Sequence, residues 1–286
     1  MKAYYECGPC ILRQVKEVID LSTDDESLKF ELMRNCIIHM AENLNKDSQP
    51  NKIATEVNQY IKNKTGCEDA YHKQKELSNE IALSLLPDVK EILKTDDCLE
   101  TYVKIAIVGN IIDFGAYDIS TDFKKLINTN LNNDLSINCI DEFTRALDFH
   151  DEVLYITDNA GEIVFDYLLI EKIKDYDVNV TVAVISSPIV NDACEKEAIE
   201  AGLDKLADII TIGSDSGGIV EKMFSEEFKE IFNESKFIIS KGMANYEGLS
   251  EMDLRKKDVF VLLCSKCNPI SRDLSVDLNS FVLKKL

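Results

Sequence analysis

Apolar residues in the first part of the chain recur at helical spacing. From residue 11 to about residue 119 they return every three or four positions, as expected for helices buried on one face. Breaks in this pattern separate the predicted helices, and they fall at Ser48–Asn51, Thr65–Gly66 and Pro87. Strand patterns are nearly absent in this part. The pattern therefore predicts a helical N-terminal subdomain over residues 1–140.

After about residue 141 the pattern changes to short apolar runs rich in β-branched residues, separated by helical segments. Five of these runs predict strands: Val153–Thr157, Val178–Ile185, Ala207–Ile212, Phe237–Ser240 and Val259–Leu263. Strands that are apolar on both faces and alternate with helices form a largely parallel sheet with helices on both sides. The sequence therefore predicts an α/β domain over residues 141–286.

Polar residues follow four of the predicted strands. They are Asp158 and Asn159, then Ser186–Ser187 with Asn191 and Asp192, then Gly213–Ser214, and finally Lys241–Gly242. Right-handed crossovers bring the ends of successive parallel strands to one edge, where open α/β sheets bind ligands. Two carboxylates and an amide oxygen suit a hard divalent cation, which can activate a water and polarise a phosphoryl oxygen. Lys241 and glycine-loop N–H groups could hold the phosphate.

Each of these loops also has a structural interpretation. Asn159 with Glu162 three residues later has the spacing of a helix cap, and so does Asp192 with Glu195. A phosphatase with an aspartyl nucleophile would carry a second acid two residues after the first. Ala160 occupies that position. Water is therefore the expected nucleophile.

Two polar groups interrupt the helical part. Asn110 and Asp113 lie three residues apart and so share one helix face, where they could orient a substrate or satisfy a helix–helix contact. A second group is interpreted as a solvated helix face, and it comprises Asp69, Tyr71, Lys75 and Asn79.

Two CxxC pairs lie near opposite ends of the chain, at Cys7 and Cys10 and at Cys264 and Cys267. Two thiols at this spacing can chelate a metal or form a redox pair. Four thiolates could complete a zinc site if the two pairs meet, which the sequence does not reveal. Cys7 and Cys10 are therefore candidates for a second metal site or a redox site.

Composition restricts the range of partners. The formal net charge of the 286 residues is -20, with no basic block, which argues against nucleic acid or an anionic membrane as a partner. No apolar run is long enough to span a bilayer, and the beginning of the chain has no apolar signal core. Nine cysteines, mostly scattered singly, are typical of a reducing cytoplasm. The oligomeric state is left open.

Three motifs together resemble the family once catalogued as domain of unknown function 89, also called the damage-control phosphatase family: Asp158–Glu162, Pro188–Asp192 and Lys241–Glu247. Gly109–Asp113 also fits, and the opening Cys7–Cys10 resembles the archaeal and bacterial branch. The resemblance implies a three-layer α/β/α sandwich with a helical N-terminal part. It also implies metal-dependent hydrolysis of phosphate esters of small metabolites, including sugar phosphates and damaged intermediates.

The resemblance further implies Asp158, Asn159 and Asp192 as ligands of a divalent cation such as Mn, Ni, Co or Mg. Lys241 would contact the substrate phosphate, with Asn245 nearby. The sequence thus predicts a phosphomonoesterase with catalytic roles for Asp158, Asp192 and Lys241. Other branches carry an Arg-Thr-x-Lys or Glu-Gly-Met-Gly-Arg signature after the last core strand. Neither is present here.

Two other interpretations remain open. One is an S-adenosylmethionine-dependent carboxyl methyltransferase, although no glycine-rich loop follows the first strand. The other is a non-catalytic module that binds a metal or a ligand. A Walker A loop, a G-x-G-x-x-G fingerprint and a G-x-S-x-G elbow are all absent from the sequence, which disfavours the site types that depend on them.

Overall fold

The computed structural model of the protein describes residues 1–111, 127, 129, 131 and 133–286. Within this part of the chain, seven strands form one sheet. They are β1 (Leu135–Asn138), β2 (Glu152–Ile156), β3 (Asn179–Val184), β4 (Asp208–Thr211), β5 (Phe237–Lys241), β6 (Asp258–Cys264) and β7 (Phe281–Lys285). Their order across the sheet is β1-β7-β6-β5-β2-β3-β4.

Five adjacent strands, β6-β5-β2-β3-β4, run parallel. The chain extends the sheet from β2 through β3 to β4, and then returns to place β5 on the other side of β2. The carboxyl ends of β2 and β5 are therefore the topological switch point, where a crevice opens in doubly wound sheets. β7 is antiparallel to β6, and β1 is parallel to β7.

Helices cover both faces of this sheet. In the described residues they are α1 (Cys7–Ser22), α2 (Glu26–Asn43), α3 (Pro50–Thr65), α4 (His72–Thr95), α5 (Leu99–Ile111), α6 (Ile140–Phe149), α7 (Glu162–Ile173), α8 (Glu195–Glu200), α9 (Glu226–Glu234), α10 (Met243–Leu249) and α11 (Asn268–Leu274). None of these helices is long and apolar enough to cross a membrane.

Alternate residues of β2 pack into different cores, because successive side chains of a strand point to opposite faces. Val153 and Tyr155 join the core formed with α4 to α8, whereas Leu154 and Ile156 join the core formed with α9 to α11. The predicted three-layer α/β/α arrangement with a largely parallel sheet is thereby confirmed.

Helices α1 to α3 pack around a third apolar core of their own. Side chains of α3 attach this group to the carboxyl edge of the sheet. Asn51 Nδ2 donates to the carbonyl oxygens of Ile219 (2.8 Å) and Ala244 (3.2 Å), and Gln59 Nε2 donates to Asp215 Oδ1 (2.6 Å). The domain boundary at residue 140 stays a prediction. The apolar cores themselves divide after α3, since α4 and α5 pack on the sheet.

Some elements differ from the sequence prediction. Helix α4 continues through Pro87, because apolar residues remain at helical spacing on both sides of the proline, as the buried Ala82 and Val89 indicate. The sequence pattern also misses β1 and β7. β1 has only four residues within the part predicted as helical, and β7 ends in two lysines, so neither strand resembles the apolar runs of the parallel sheet.

Candidate active site

Asp158 lies just beyond the end of β2, at the switch point, and is 8% exposed. Its carboxylate packs directly against the turn between β5 and α10. A Cβ atom added to Gly242 would lie only 2.0 Å from Asp158 Oδ2, and Gly242 has a φ of +79°, which favours glycine. A side chain at residue 242 would therefore displace this carboxylate.

The loop after β3 brings Asp192 to the same place. Asn159 and Asp192 form an isolated antiparallel bridge, and the Ala193 N–H donates to the Asp158 carbonyl oxygen at 2.8 Å. The Gly218 N–H donates to Asp192 Oδ2 at 3.3 Å. Backbone hydrogen bonds thus hold Asp158, Asn159 and Asp192 side by side. The sequence predicted this convergence from the strand ends.

Two amide side chains have their N–H groups directed at carboxylates. Asn110 Nδ2 donates to Asp158 Oδ2 (2.7 Å) and to Glu162 Oε2 (2.6 Å). Asn159 Nδ2 donates to the same two oxygens, at 2.7 Å and 3.3 Å. This orientation leaves the two Oδ1 atoms for other partners, and Asn110 Oδ1 has none within the described residues. Asp113, predicted to share a face with Asn110, lies outside the described residues.

Lys241 lies behind these groups and is fully buried. Its Nζ donates to Glu162 Oε1 (2.5 Å), Asp166 Oδ1 (2.6 Å) and the Ala106 carbonyl oxygen (2.9 Å). An ammonium group has three hydrogens, so none is left for a substrate phosphate. The direct phosphate contact predicted for Lys241 does not fit this geometry. Lys241 instead neutralises two buried carboxylates beneath the site.

Asn245 also differs from its predicted role near the phosphate. It is 2% exposed, and its Nδ2 donates to the carbonyl oxygens of Thr157 (2.9 Å) and Lys241 (2.7 Å). Both hydrogens of the amide are therefore occupied. Asn245 ties the end of β2 to the end of β5 and so fixes the width of the crevice.

The site holds more negative than positive charge. Its carboxyl groups belong to Asp158, Glu162, Asp166 and Asp192, whereas the buried cation among them is Lys241. Burial, together with the charges of Glu162 and Asp192, raises the pKa of Asp158 well above its usual range. Burial also raises the pKa of Asp192 to about 7. A divalent cation between the two carboxylates would relieve this repulsion.

A cavity of about 500 Å³ opens in front of Asp158, a volume typical of small-molecule sites. One face of α1, one face of α3, the loops at the sheet edge and α10 form its walls. Asn110, Asn159 and Asp192 lie in this wall together with Asp158. Lys266, just after β6, is exposed in the same cavity, and its charge acts on the Asp158 carboxyl group.

Both cysteines of the first CxxC pair line the cavity together with one cysteine of the second pair. Cys7, Cys10 and Cys267 line the cavity, whereas Cys264 belongs to β6 and is buried in the sheet core. The four cysteines therefore do not form one site. Burial raises the pKa of Cys7 and, to about 11, that of Cys267.

No three His, Cys, Asp or Glu side chains of the described residues are arranged to hold a metal ion. The cysteine cluster is therefore not a preformed metal site. The group at Asp158 is of a different kind, because it combines two carboxylates with the amide of Asn159.

The interpretation of the Asp69–Asn79 segment as a solvated face is wrong. Lys75 and Asn79 are 1% and 3% exposed. Lys75 Nζ pairs with Asp69 (2.8 Å) and Glu197 (3.3 Å), and Asn79 Oδ1 accepts the Gly161 N–H (2.7 Å), which steadies the turn after Asp158. The burial of Lys75 and Asn79 could have been predicted from their spacing in the sequence. They continue the buried stripe of α4 that includes Ala82, Val89 and Leu93.

The helix-cap interpretation is wrong at both places. α7 starts after Gly161 without a side-chain cap, and α8 is capped at Cys194, whose N–H donates to Glu197 Oε2 at 2.9 Å. Glu162 instead accepts hydrogen bonds from Lys241 and Asn110. The sequence signal for the buried role of Glu162 is its pairing with Asp166, since these two acids lie one turn apart in the apolar first half of the helix.

Comparison with known proteins relates the chain to one family, by sequence and by structure. A family model for the damage-control phosphatase ARMT1-like domain matches residues 3–282. The chain is 34% identical, over 99% of both chains, to a protein of Archaeoglobus fulgidus named damage-control phosphatase. It is 33% identical, over 99% of this chain and 97% of the other, to a damage-control phosphatase of Pyrococcus horikoshii. A crystal structure of a DUF89 family protein from Pyrococcus horikoshii superposes with a TM-score of 0.90 at 32% identity, covering 100% of this chain and 99% of that one.

Proposed function

Because the chain belongs to the damage-control phosphatase ARMT1-like family, we propose that it is a divalent-metal-dependent phosphatase of small metabolites. Its substrates would be phosphate monoesters such as sugar phosphates or damaged phosphorylated intermediates, and water would be the nucleophile. Family membership supports the phosphatase class. The observation that carries the finer proposal is the meeting of Asp158, Asn159 and Asp192 at the switch point, in the wall of a cavity of metabolite size.

The residues present fit a hard divalent cation such as Mn, Ni, Co or Mg. Asp158 and Asp192 supply carboxylate oxygens, and the orientation of Asn159 leaves its amide oxygen free for a cation. Burial first, and then the charge of Glu162, raises the pKa of both carboxyl groups, so a cation of charge two is favoured between them. When bound, such an ion would polarise a phosphoryl oxygen and lower the pKa of a water ligand.

Lys266 is the candidate for the phosphate contact. It is exposed in the cavity, and none of the side-chain hydrogen bonds or ion pairs within the described residues involves its ammonium group. Its charge already acts on the Asp158 carboxyl group. Lys266 would therefore bind a phosphoryl oxygen and stabilise the charge that develops there. Water replaces the alkoxide at phosphorus, giving the free alcohol and inorganic phosphate.

A buried network would keep the metal ligands in place. Asn110 bridges Asp158 and Glu162, and Lys241 holds Glu162 from behind. We assign these three residues, Asn110, Glu162 and Lys241, as positioning residues. Partners of metal ligands fix the orientation of those ligands.

We further propose that the protein works in the reducing cytoplasm. All nine of its cysteines are free thiols. Disulfides form and persist mainly in oxidising compartments, so free cysteines in this number favour a reducing one. The net charge of -20 agrees with small metabolites, rather than nucleic acid or an anionic membrane, as partners.

Phosphate release from a generic phosphate monoester tests this function. Protein treated with a chelator should be inactive and should recover activity with one or more of Mn, Ni, Co and Mg. Asp158→Ala should reduce kcat/KM at least about 100-fold, because it removes a metal ligand. It should also weaken metal binding measured by calorimetry.

Asp148→Ala is the matched control, since Asp148 is an exposed aspartate on α6, away from the cavity. It should leave both activity and metal affinity unchanged. Absence of phosphate release with every metal, or an Asp158→Ala protein as active as the wild type, would refute the proposed function.

A further inference from the structure

Glu247 lies in the cavity wall and has no part in the proposed metal chemistry. It shares one face of α10 with Met243 and Ala244, and all three residues line the cavity. The backbone N–H of Asn51, a residue that also lines the cavity, acts on the Glu247 carboxyl group and favours its charged form. A ligand in the cavity could therefore reach this carboxylate.

The Glu247 carboxylate lies near two thiols, those of Cys7 and Cys267. Burial, followed by nearby charges including that of Glu247, raises the pKa of both thiols. These thiols therefore stay protonated and provide no positive charge. Burial also raises the pKa of Glu247 to about 7.

None of the nearby cations pairs with the Glu247 carboxylate within the described residues. No ion pair within the described ranges includes Glu247, although Arg13 and Lys266 line the same cavity. Arg272 is paired with Glu6. The amino group of Met1 acts on Glu247 from a distance, but it pairs with Glu251 and donates to Ser250 Oγ and the Glu247 carbonyl oxygen.

A half-buried carboxylate without a paired cation loses part of its hydration, and a cation placed beside it recovers that cost. A hydroxyl group on a ligand could donate one hydrogen bond but would leave the charge uncompensated. An ammonium group supplies both the hydrogen bond and the opposite charge.

We propose that Glu247 binds an ammonium group on the organic part of the substrate, so that the cavity selects phosphate monoesters that also carry an amine. The inference rests on the proposed function for the other end of the ligand, where the phosphate meets Lys266 and the metal ligands. Glu247 is then a specificity-determining residue that binds the amine, whereas Lys266 and the metal ligands bind the phosphate.

Binding of non-hydrolysable phosphonates tests this inference without relying on catalysis. Aminoalkyl phosphonates of increasing chain length are compared by calorimetry with alkyl phosphonates of the same lengths, in the presence of Mn. The wild type should bind at least one amine about tenfold more tightly than its alkyl counterpart, since a charge-assisted hydrogen bond is gained. Glu247→Gln should abolish this preference and leave the affinity for the alkyl series unchanged.

Glu251→Gln is the matched control, because Glu251 also contacts the amino group of Met1 but does not line the cavity. It should keep the preference for amines. A Glu247→Asp variant, which retains the charge, should keep part of the preference and covers the case in which Glu247→Gln does not fold.

Equal binding of amine and alkyl series by the wild type, or an equal loss for both series in Glu247→Gln, would overturn the inference. These failures are distinct from failure of the proposed function. Hydrolysis of esters without amine preference would reject only the role of Glu247. Amine preference in phosphonate binding without phosphate release from any ester would reject only the phosphatase.

Discussion

Two lysines lie at the carboxyl ends of the neighbouring strands β5 and β6, yet one is buried and the other is exposed. Lys241, at the end of β5, is fully buried and donates to two carboxylates and a carbonyl group. Lys266, just after β6, is exposed in the cavity, and its ammonium group enters no hydrogen bond or ion pair within the described residues. One lysine is committed to the interior, and the other is available to a ligand.

The difference distinguishes a buried layer from a cavity wall. In the buried layer beneath Asp158, Lys241 forms ion pairs with both Glu162 and Asp166. These three charges stabilise the fold and are not available to a substrate. In the wall, neither Lys266 nor Glu247 has an ion-pair partner among the residues that the structure describes. Mutations should therefore affect stability in the first layer and ligand recognition in the second.

The largest expected effect is on stability. Lys241→Met leaves Glu162 and Asp166 buried without their cation, which should lower the free energy of unfolding by about 3–5 kcal/mol. Denaturant unfolding followed by circular dichroism measures it. Lys266→Met, the same replacement at an exposed site, should change stability by less than about 0.5 kcal/mol. Equal destabilisation by both variants would remove the distinction between the layers.

The next effect concerns activity. Lys266→Met should fold normally but lower kcat/KM for a phosphate monoester by about 10- to 100-fold, because charge-assisted hydrogen bonds to the phosphate are lost. Steady-state kinetics with saturating metal measures this change, and Lys266→Arg, which keeps the charge, should retain part of the activity. Full activity of Lys266→Met would place the phosphate elsewhere in the cavity.

A smaller effect is expected in the pH dependence of stability. Because burial raises the pKa of Glu247 from 4.5 to about 7, the folded protein binds more protons than the unfolded chain between these values. This contribution to stability is fully present below pH 4.5 and is lost as the pH rises through about 7. In metal-free protein, Glu247→Gln should therefore show a shallower decline of stability over that range than the wild type. Parallel curves for the two proteins would count against the half-buried, unpaired state of Glu247.

The smallest effect is expected at the cysteines. Cys7 and Cys267 have a raised pKa, and the described cysteines do not form a preformed metal cluster. Cys7→Ser protein should therefore contain the same amounts of zinc and iron as the wild type in elemental analysis. A loss of either metal in Cys7→Ser would show that the cavity thiols are ligands after all.

Much of the site follows from local patterns. Asp158 and Asp192 could be predicted as neighbours because each follows an apolar strand, and parallel strands present the same ends to one edge. Lys241 follows the same rule, yet its long side chain extends back under the sheet edge to Asp166 rather than into the crevice. The position of a residue along a strand predicts where its backbone lies, but not which partner its side chain reaches.

The sequence by itself determined the alternation of strands and helices, the edge at which the polar loops gather and the identity of the carboxylates there, because these depend on periodicity and on local turns. Only the tertiary structure decided that α1 and α3 form walls of the cavity, that β7 reverses direction and that the two lysines have different roles. These features depend on contacts between residues that are distant in the chain. Glu162 and Lys241, for example, are 79 residues apart in sequence but form a hydrogen bond of 2.5 Å in the folded protein.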